Sequence, residues 1–281
     1  MTPERRRLIV TADDFGLTTS VNEAVERAVT DGILTSASLM VSAQAATDAV
    51  VRARRLPKLA VGLHLVVIEG APCLPPDLIP DLIGSDGRFP SDQFRLGVEY
   101  FFRPAIKRQL AAEIRAQFEA FRATGLTLDH ANAHKHMHLH PTVGRMMIDI
   151  GREYGLRAIR VPAEPVVAGG PARTLGDRIL ARWCGVLRRQ ARHAGLITND
   201  HVLGLGWTGH MTLERTQALL DALPPGLTEL YFHPAINHDA DLLATMSSYE
   251  HAAEFAALMG ARLPAEIRAT TFGEVGRAVG S

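Results

Sequence analysis

Apolar positions in this chain change their period repeatedly, and each change marks an element. Leu8, Ile9 and Val10 form a continuous apolar run that predicts a short buried strand, with Thr11-Ala12-Asp13-Asp14-Phe15-Gly16 at its exit. Ser20 with Glu23 has the form of a capping box opening a helix. Val21, Ala24, Val25, Ala28 and Val29 trace one face of that helix, and Gly32 stops it. A strand is expected over 34–41, then a helix over 45–54 that Pro57 ends. A further strand over 59–65 delivers Gly62-Leu63-His64-Leu65.

Residues 70–104 break the rhythm with Pro72, Pro75, Pro76, Pro80, Pro90 and Pro104. They read as an insertion, spanning about 66–104, that serves as a lid or binding loop or as a cover for the edge of the fold. The rhythm then resumes. Ile106, Leu110, Ile114, Phe118 and Phe121 share a helical face, Leu126-Thr127-Leu128 is strand-like, and Val143, Met146, Met147 and Ile150 predict a helix reaching Tyr154. A short strand over 158–161, a helix near 175–194, a weak strand near 201–205 and a helix over 212–222 follow. The strand over 228–232 delivers His233, and a helix, a strand and a helix close the chain.

Roughly seven or eight β-α units in one chain argue for an α/β fold whose parallel sheet closes into a TIM-like (β/α) barrel. An open doubly wound sheet is the alternative. No internal repeat or linker divides the chain, so a single domain over 1–281 is expected. Active sites of such barrels lie at the C-terminal ends of the strands. Asp13, Asp14, His64, His134 and His233 all fall at or just after expected strand ends.

Composition narrows the class. An apolar content of 47% supports a sizeable core, and a formal net charge of zero gives no general attraction to nucleic acid or membrane. Two cysteines, Cys73 and Cys184, are too few for a disulfide framework. The basic stretch over 1–7 leads into an apolar run too short for a signal peptide, and no apolar stretch reaches membrane-spanning length. A cytoplasmic location is the expectation.

The candidate chemistry lies in two segments. Adjacent carboxylates at a strand exit make a poor core element, because carboxylates are seldom buried unpaired. They suit a site where one holds a metal and the other handles protons, though a helix cap or turn uses such acids too. Downstream, five of the twelve histidines fall within 130–140. Histidine is the commonest metal ligand and the usual proton carrier near neutral pH, and this tract sits between a strand and an apolar helix rather than in polar surroundings. Two histidines and a carboxylate make an open-sided metal site, with Asp14, His64 and His134 as candidate ligands. Asp13 is then the candidate general base. His233, before Pro234, could protonate a leaving amine, or serve a structural role. Two nitrogen ligands favour zinc or another transition metal over magnesium for the one divalent ion.

These motifs, in this order, resemble the YdjC/ChbG-like carbohydrate deacetylases. The matching stretches are Thr11 with the residues to Gly16, Asp31-Gly32-Ile33-Leu34-Thr35-Ser36, Gly62-Leu63-His64-Leu65, the His-rich run to Pro141, and Glu229-Leu230-Tyr231-Phe232-His233-Pro234. The resemblance implies a deformed (β/α) barrel, as in polysaccharide deacetylases, that removes an N-acetyl group from an amino sugar. It implies a metal on Asp14, His64 and His134, with Asp13 as base and His233 as acid. Members of chitooligosaccharide type tend to carry Asp where this chain has Asn132, so contacts around the metal should differ here. The segments 21–28 and 132–141 are similar to the hopanoid biosynthesis-associated (HpnK-like) branch, which implies an N-acetylglucosaminyl bacteriohopanetetrol as substrate.

Other functions remain open to the sequence: a chitooligosaccharide deacetylase, a non-catalytic sugar- or lipid-binding accessory, and a metal-dependent phosphoesterase with Arg160 as its phosphate contact. The expected partners are an N-acetylated sugar or glycolipid, not nucleic acid. Leu74, Leu78, Ile79, Leu82, Ile83 and Phe89 of the insertion would cover an apolar aglycone or pack the loop onto the barrel. Peripheral contact with the inner membrane face is expected from the helix near 175–194, where Leu175, Ile179, Trp183, Val186 and Leu187 share a face bordered by arginines. An ordinary barrel helix has the same pattern. Oligomeric state is open, a homodimer included.

Overall fold

The computed structural model describes residues 6–165, 175–237 and 239–279; the basic start of the chain lies outside these. β1 (Arg6–Phe15) is followed by α1 (Thr19–Asp31), β2 (Ser36–Leu39), α2 (Ala46–Arg54) and β3 (Ala60–Leu65). The insertion contains α3 (Gln93–Phe102), and after it come α4 (Pro104–Ala123), β4 (Leu128–Ala133), α5 (Pro141–Glu153) and β5 (Ala158–Ile159). The chain continues through α6 (Leu175–His193), β6 (Ile197–Thr198), β7 (His201–Leu203), α7 (Leu213–Asp221) and β8 (Gly226–Phe232). It ends with α8 (Ala240–Met246), α9 (His251–Gly260), β9 (Ile267–Ala269) and α10 (Phe272–Val279).

Every described strand pair is parallel. The hydrogen-bonded order is β6-β5-β4-β3-β2-β1-β8-β7, with β9 on the start of β1. β6 and β7 are successive pieces of one extended segment; one pairs with β5 and the other with β8, so the path returns on itself. Asn199 fills the joint between them. Its side-chain oxygen accepts from the Val161 N–H and its amide donates to the Val161 carbonyl, both at 2.8 Å, replacing ladder bonds that the broken strand does not make. The α/β barrel expected from the sequence is therefore present, and its deformation lies at this joint.

Contacts across the interior show how tightly the sheet curls. Arg160, just past β5, is at least three strand positions from β1 by either route, roughly 14 Å on a flat sheet. Its guanidinium nevertheless reaches both Asp13 oxygens, at 2.5 and 3.0 Å. Inward positions alternate along each strand and stack in layers. Ile9, Leu227 and Ala158 form an apolar floor, closed by Phe272 and Val275 of α10. Above it lies a polar layer containing Thr11, Ser38, His130, Arg160 and Glu229, all fully buried. Outward positions such as Leu8, Val10 and Ala12 join the main apolar core under the helices.

Several local expectations are corrected. Thr18, not Ser20, caps α1 by accepting from the Val21 N–H. The Ser20 hydroxyl instead donates to the Asn237 carbonyl and accepts from its N–H, tying α1 to the loop after β8. α3 was not expected, because apolar Phe94, Leu96, Val98 and Tyr100 alternate with period two, a strand-like pattern. Its unread signal was Asp92, which caps it by accepting from the Arg95 N–H. β4 begins at Leu128 rather than near 126, because His130 and Asn132 are strand residues facing the interior. The single helix expected before the last strand is two, α8 and α9.

The insertion is fastened down. The Glu113 carboxylate of α4 accepts from the Cys73 and Leu74 N–H groups, and the Gln117 side chain bonds both backbone groups of Val66. Of the insertion's apolar residues, Ile79, Leu82 and Phe89 are buried against the core, whereas Leu78 is exposed. α6 likewise buries Cys184, Leu187 and Ala191, and leaves Ile179 and Trp183 exposed. The side chains of Leu175 and Arg178 lie outside the described residues. No helix among the described residues is long and apolar enough to cross a membrane.

Gly62 makes room for the polar layer: a β-carbon there would lie 2.5 Å from the His130 ring. Gly62→Ala is therefore expected to lower unfolding free energy by about 1–3 kcal/mol, the usual penalty of overpacking. Urea denaturation checks this, and an unchanged midpoint would show that the His130 ring can move aside.

Candidate active site

Side chains of consecutive strand residues point to opposite faces, yet Asp13 and Asp14 are both buried around the same interior. A bulge explains this. The β1–β2 register shifts between Ala12 and Phe15, and Asp14 adopts a left-handed backbone with φ of 60°. A non-glycine residue in that conformation is held at a cost of order 1–3 kcal/mol by its surroundings, and such strain gathers at functional sites. The turn is fixed by the Leu17 N–H donating to the Asp14 carbonyl and the Gly16 N–H donating to the Asn22 side chain.

Asp14, His64 and His134 meet in one buried cluster, with one ligand atom from each lying within 4.8 Å of the others. Asp14 Oδ1 is 3.1 Å from His64 Nε2 and 3.1 Å from His134 Nδ1. Asp14 Oδ2 is buried with no hydrogen-bond partner among the described residues. A buried carboxylate oxygen without a donor is expensive unless a cation meets it. Around this cluster the buried carboxylates of Asp13, Asp14 and Glu229 are met by a single described guanidinium, Arg160, and Glu254 is a further buried acid behind His233. The donor set, the orphaned oxygen and the excess of acidic groups all fit a divalent metal ion, and the two nitrogens favour a transition metal.

Asn132 joins this cluster to Asp13. Its side-chain oxygen lies 2.6 Å from His64 Nδ1, so it accepts that N–H and leaves Nε2 facing Asp14. Its amide donates to Asp13 Oδ1 at 3.0 Å and to Ser38 Oγ at 2.9 Å. An aspartate in its place could not donate to an ionised Asp13, which gives the departure noted in the sequence a physical consequence. Arg160 grips Asp13 with two hydrogen bonds and also donates to Glu229 Oε1 at 2.8 Å. Thr11 Oγ1 donates to the same Glu229 oxygen. Burial opposes charge on Asp13, but Arg160 and His64 more than offset it and hold the carboxyl well below the usual range. Burial also opposes charge on His64, yet Asp13 and Asp14 raise its pKa above the ordinary histidine value.

His233, just after β8, stands between Tyr231 and Tyr249, with ring centroids at 5.5 and 5.1 Å. Its Nδ1 is buried without a hydrogen-bond partner among the described residues. Burial pushes its pKa down to about 4 against the pull of Asp14 and Asp13, so the ring is neutral at pH 7. Its backbone N–H donates to Glu254, a buried acid that the sequence did not single out. The five clustered histidines serve different ends. His130 bridges Asp129 and Ser38, His138 bonds the Arg160 carbonyl, and His140 packs edge-on to Tyr100. His136, left-handed like Lys135, faces Tyr231. Glu229 and His130 stood in the quoted motifs without an assigned role and Ser38 was not singled out, although polar residues at every second position of an otherwise apolar strand were the available signal.

A cavity of about 770 Å³ opens beside His134 between the insertion and α8. Leu17, Met40, Val66 and Phe89 give it apolar walls; Glu69, Asp86, Arg88 and Asp241 give it charge. Lys135 and Glu69, both left-handed, form an ion pair beside it.

The chain is similar to known proteins of one family. The profile of the family described as YdjC-like protein matches residues 7–269. The chain is 32% identical over 267 residues to a carbohydrate deacetylase of Geobacillus stearothermophilus, covering 93% of each. It is 32% identical to a carbohydrate deacetylase of Homo sapiens over 83% of this chain and 76% of that protein. A match to one from Brevibacillus brevis, 37% identical, spans only 53% of this chain and 56% of that relative. Among solved structures, a protein of Enterococcus faecalis V583 provisionally described as a cellobiose-phosphate cleavage protein has a TM-score of 0.76. It is 22% identical and covers 96% of this chain and 99% of that one, which shows the shared fold.

Two outcomes follow from the network. Arg160→Met leaves Asp13 and Glu229 buried without their cation and is expected to destabilise the protein by about 3–5 kcal/mol in urea or thermal unfolding; a change below 1 kcal/mol would contradict the role given to Arg160. Metal ligation needs the His64 Nε2 lone pair free, and the raised pKa favours the protonated ring. Metal binding should then release protons, and affinity should weaken by up to about tenfold per pH unit below the His64 pKa. Calorimetric titration in buffers of differing ionisation enthalpy reads this directly, and a binding heat independent of buffer would refute it.

Proposed function

We propose that this chain, which belongs to the YdjC-like protein family, is a metal-dependent carbohydrate deacetylase that hydrolyses the N-acetyl amide of an N-acetylglucosamine-type sugar. The observation that carries the reading is the buried Asp14, His64 and His134 cluster beside Asp13 and an open cavity. The names of the curated relatives support the carbohydrate amide as substrate. A divalent ion on those three residues would supply a Lewis acid for the amide carbonyl and lower the pKa of the attacking water.

The chain's own groups account for the protons. Arg160 and Asn132 keep Asp13 ionised and aimed; each Asp13 oxygen has two acceptor positions, and Oδ2 receives only one described donor. Asp13 is thus placed to take the proton of the attacking water. The amide C–N bond breaks, acetate leaves, and the nitrogen needs a proton. His233, neutral at rest and with a ring nitrogen that has no described partner, is assigned to relay to it the proton that Asp13 takes from the water. Both terminal nitrogens of Arg160 are taken by Asp13 and Glu229, and the remaining Nε is buried, which counts against the phosphoesterase reading, for which Arg160 was the only evident anion contact.

The finer reading is a lipid-linked sugar, N-acetylglucosaminyl bacteriohopanetetrol. It rests on the resemblance of 21–28 and 132–141 to the hopanoid-associated branch, and on the apolar wall of Leu17, Met40, Val66 and Phe89. Burial of Ile79 and Leu82 leaves the insertion less apolar surface for an aglycone than its sequence promised.

The zinc-loaded protein is expected to release acetate from an N-acetylglucosaminyl glycolipid, faster than from chitobiose, and no phosphate from a generic phosphoester. Asp13→Asn should keep its metal and lose about 10²–10⁴-fold in rate, the usual loss of a general base. His134→Ala should lose the metal by elemental analysis. Absence of acetate release from both sugars would refute the deacetylase reading, and preference for chitobiose would refute the lipid-linked one.

A further inference from the structure

Glu254 stands in the first turn of α9 and is fully buried. Among the described residues no lysine or arginine pairs with it, and a buried carboxylate without a fixed cation is costly. Its two oxygens hold two loops. Oε1 accepts from the Met211 N–H at 3.1 Å, and Oε2 accepts from the His233 N–H. The His233 carbonyl accepts from His251 Nδ1 at 2.6 Å, so α9 takes both backbone polar groups of His233. Pro234 follows and has no N–H to give. The helix is itself tied to the barrel: the Glu250 N–H donates to the Gly209 carbonyl at 2.7 Å, and the Leu258 carbonyl accepts from the Ile33 N–H at 3.1 Å. The ring of His233 is confined as well. Tyr231 and Tyr249 flank it, and its Nδ1 lies 3.9 Å from Glu254 Oε2, the oxygen that accepts from its own backbone. An uncharged acceptor would serve two backbone N–H groups, so holding the loops does not explain a carboxylate here.

We propose that Glu254 is a positioning residue for His233: it draws Nδ1–H toward its carboxylate, leaves the Nε2 lone pair for the proton relay, and faces the imidazolium while the ring carries the extra proton. The relay itself rests on the deacetylase reading; the orientation of the ring does not. The proton count closes without any change at Glu254. One proton passes from Asp13 to His233 Nε2 and from there to the amine nitrogen, while Nδ1 keeps its own. At 3.9 Å the resting contact is too long for a hydrogen bond, and it strengthens when the ring becomes charged. His251 keeps the His233 carbonyl fixed, so the ring turns on a backbone held at both ends.

Burial pushes the Glu254 carboxyl up to about 7, so the test is made at pH 8, where it is ionised. Nitrogen-15 NMR of the wild type should show His233 as the Nδ1–H tautomer. In the zinc-loaded protein, Glu254→Gln should lower kcat on an N-acetylated sugar by about 10–100-fold, the usual cost of losing an orienting partner, with KM changed by less than about twofold. On 4-nitrophenyl acetate, whose nitrophenolate leaves without a proton, the variant should stay within about threefold of wild type, whereas a structural defect would lower both rates alike. The proposal falls if wild-type His233 is the Nε2–H tautomer, if Glu254→Gln keeps the wild-type kcat on the sugar, or if it loses as much on the ester. A wild type that releases no acetate from any N-acetylated sugar refutes the deacetylase reading instead, and the tautomer then decides whether Glu254 orients the ring. The tautomer decides equally if Glu254→Gln fails to fold.

Discussion

Arg160 is the cation on which the interior of this barrel depends. It is fully buried and spans the space between β5, β1 and β8 to bind Asp13 and Glu229 together. In a low-dielectric interior a carboxylate without such a partner is far more costly than on the surface. One guanidinium does not balance three carboxylates. The pairing leaves Asp14, the acid nearest the two histidines, with an oxygen that nothing in the described protein satisfies. Stability and chemistry therefore have one origin: the charge that Arg160 leaves uncompensated is the charge that makes the site attractive to a divalent ion.

The backbone enforces the same division. The bulge in β1 and the left-handed Asp14 bring two neighbouring acids to one side of the strand, which regular pleating forbids. Asp13 is thereby handed to Arg160 and Asn132, and Asp14 to His64 and His134. Asn132 couples the halves, because the same side chain orients the imidazole of a candidate metal ligand and donates to the proposed base. Gly62 supplies the space that this layer needs on β3.

Much of this was legible in the sequence where one physical pattern dominated. The alternating β-α rhythm gave the barrel, and strand-end placement brought Asp13, Asp14, His64 and His134 to one end of it. The ligand cluster formed by three of them was visible because histidines and acids at strand exits have few other uses. What stayed hidden depended on long-range geometry. The joint at Asn199 looks like an ordinary loop residue. Glu229 and Ser38 matter only because the sheet curls until β2, β5 and β8 face one another. α3 was missed because its apolar positions on two sides combine into a period that imitates a strand. The apolar residues of the insertion illustrate the opposite error: Ile79 and Leu82 serve packing rather than a ligand.

The central claim is that the barrel interior is charged and shaped to hold one divalent ion between Asp14, His64 and His134. Anomalous diffraction from zinc-soaked crystals, recorded on both sides of the zinc edge, tests it most directly. The account predicts a single strong peak per chain, about 2.0–2.2 Å from Asp14, His64 Nε2 and His134 Nδ1, with Arg160 still bound to Asp13. A peak among His136 and His138 instead, or none at the three residues at saturating zinc, would contradict it.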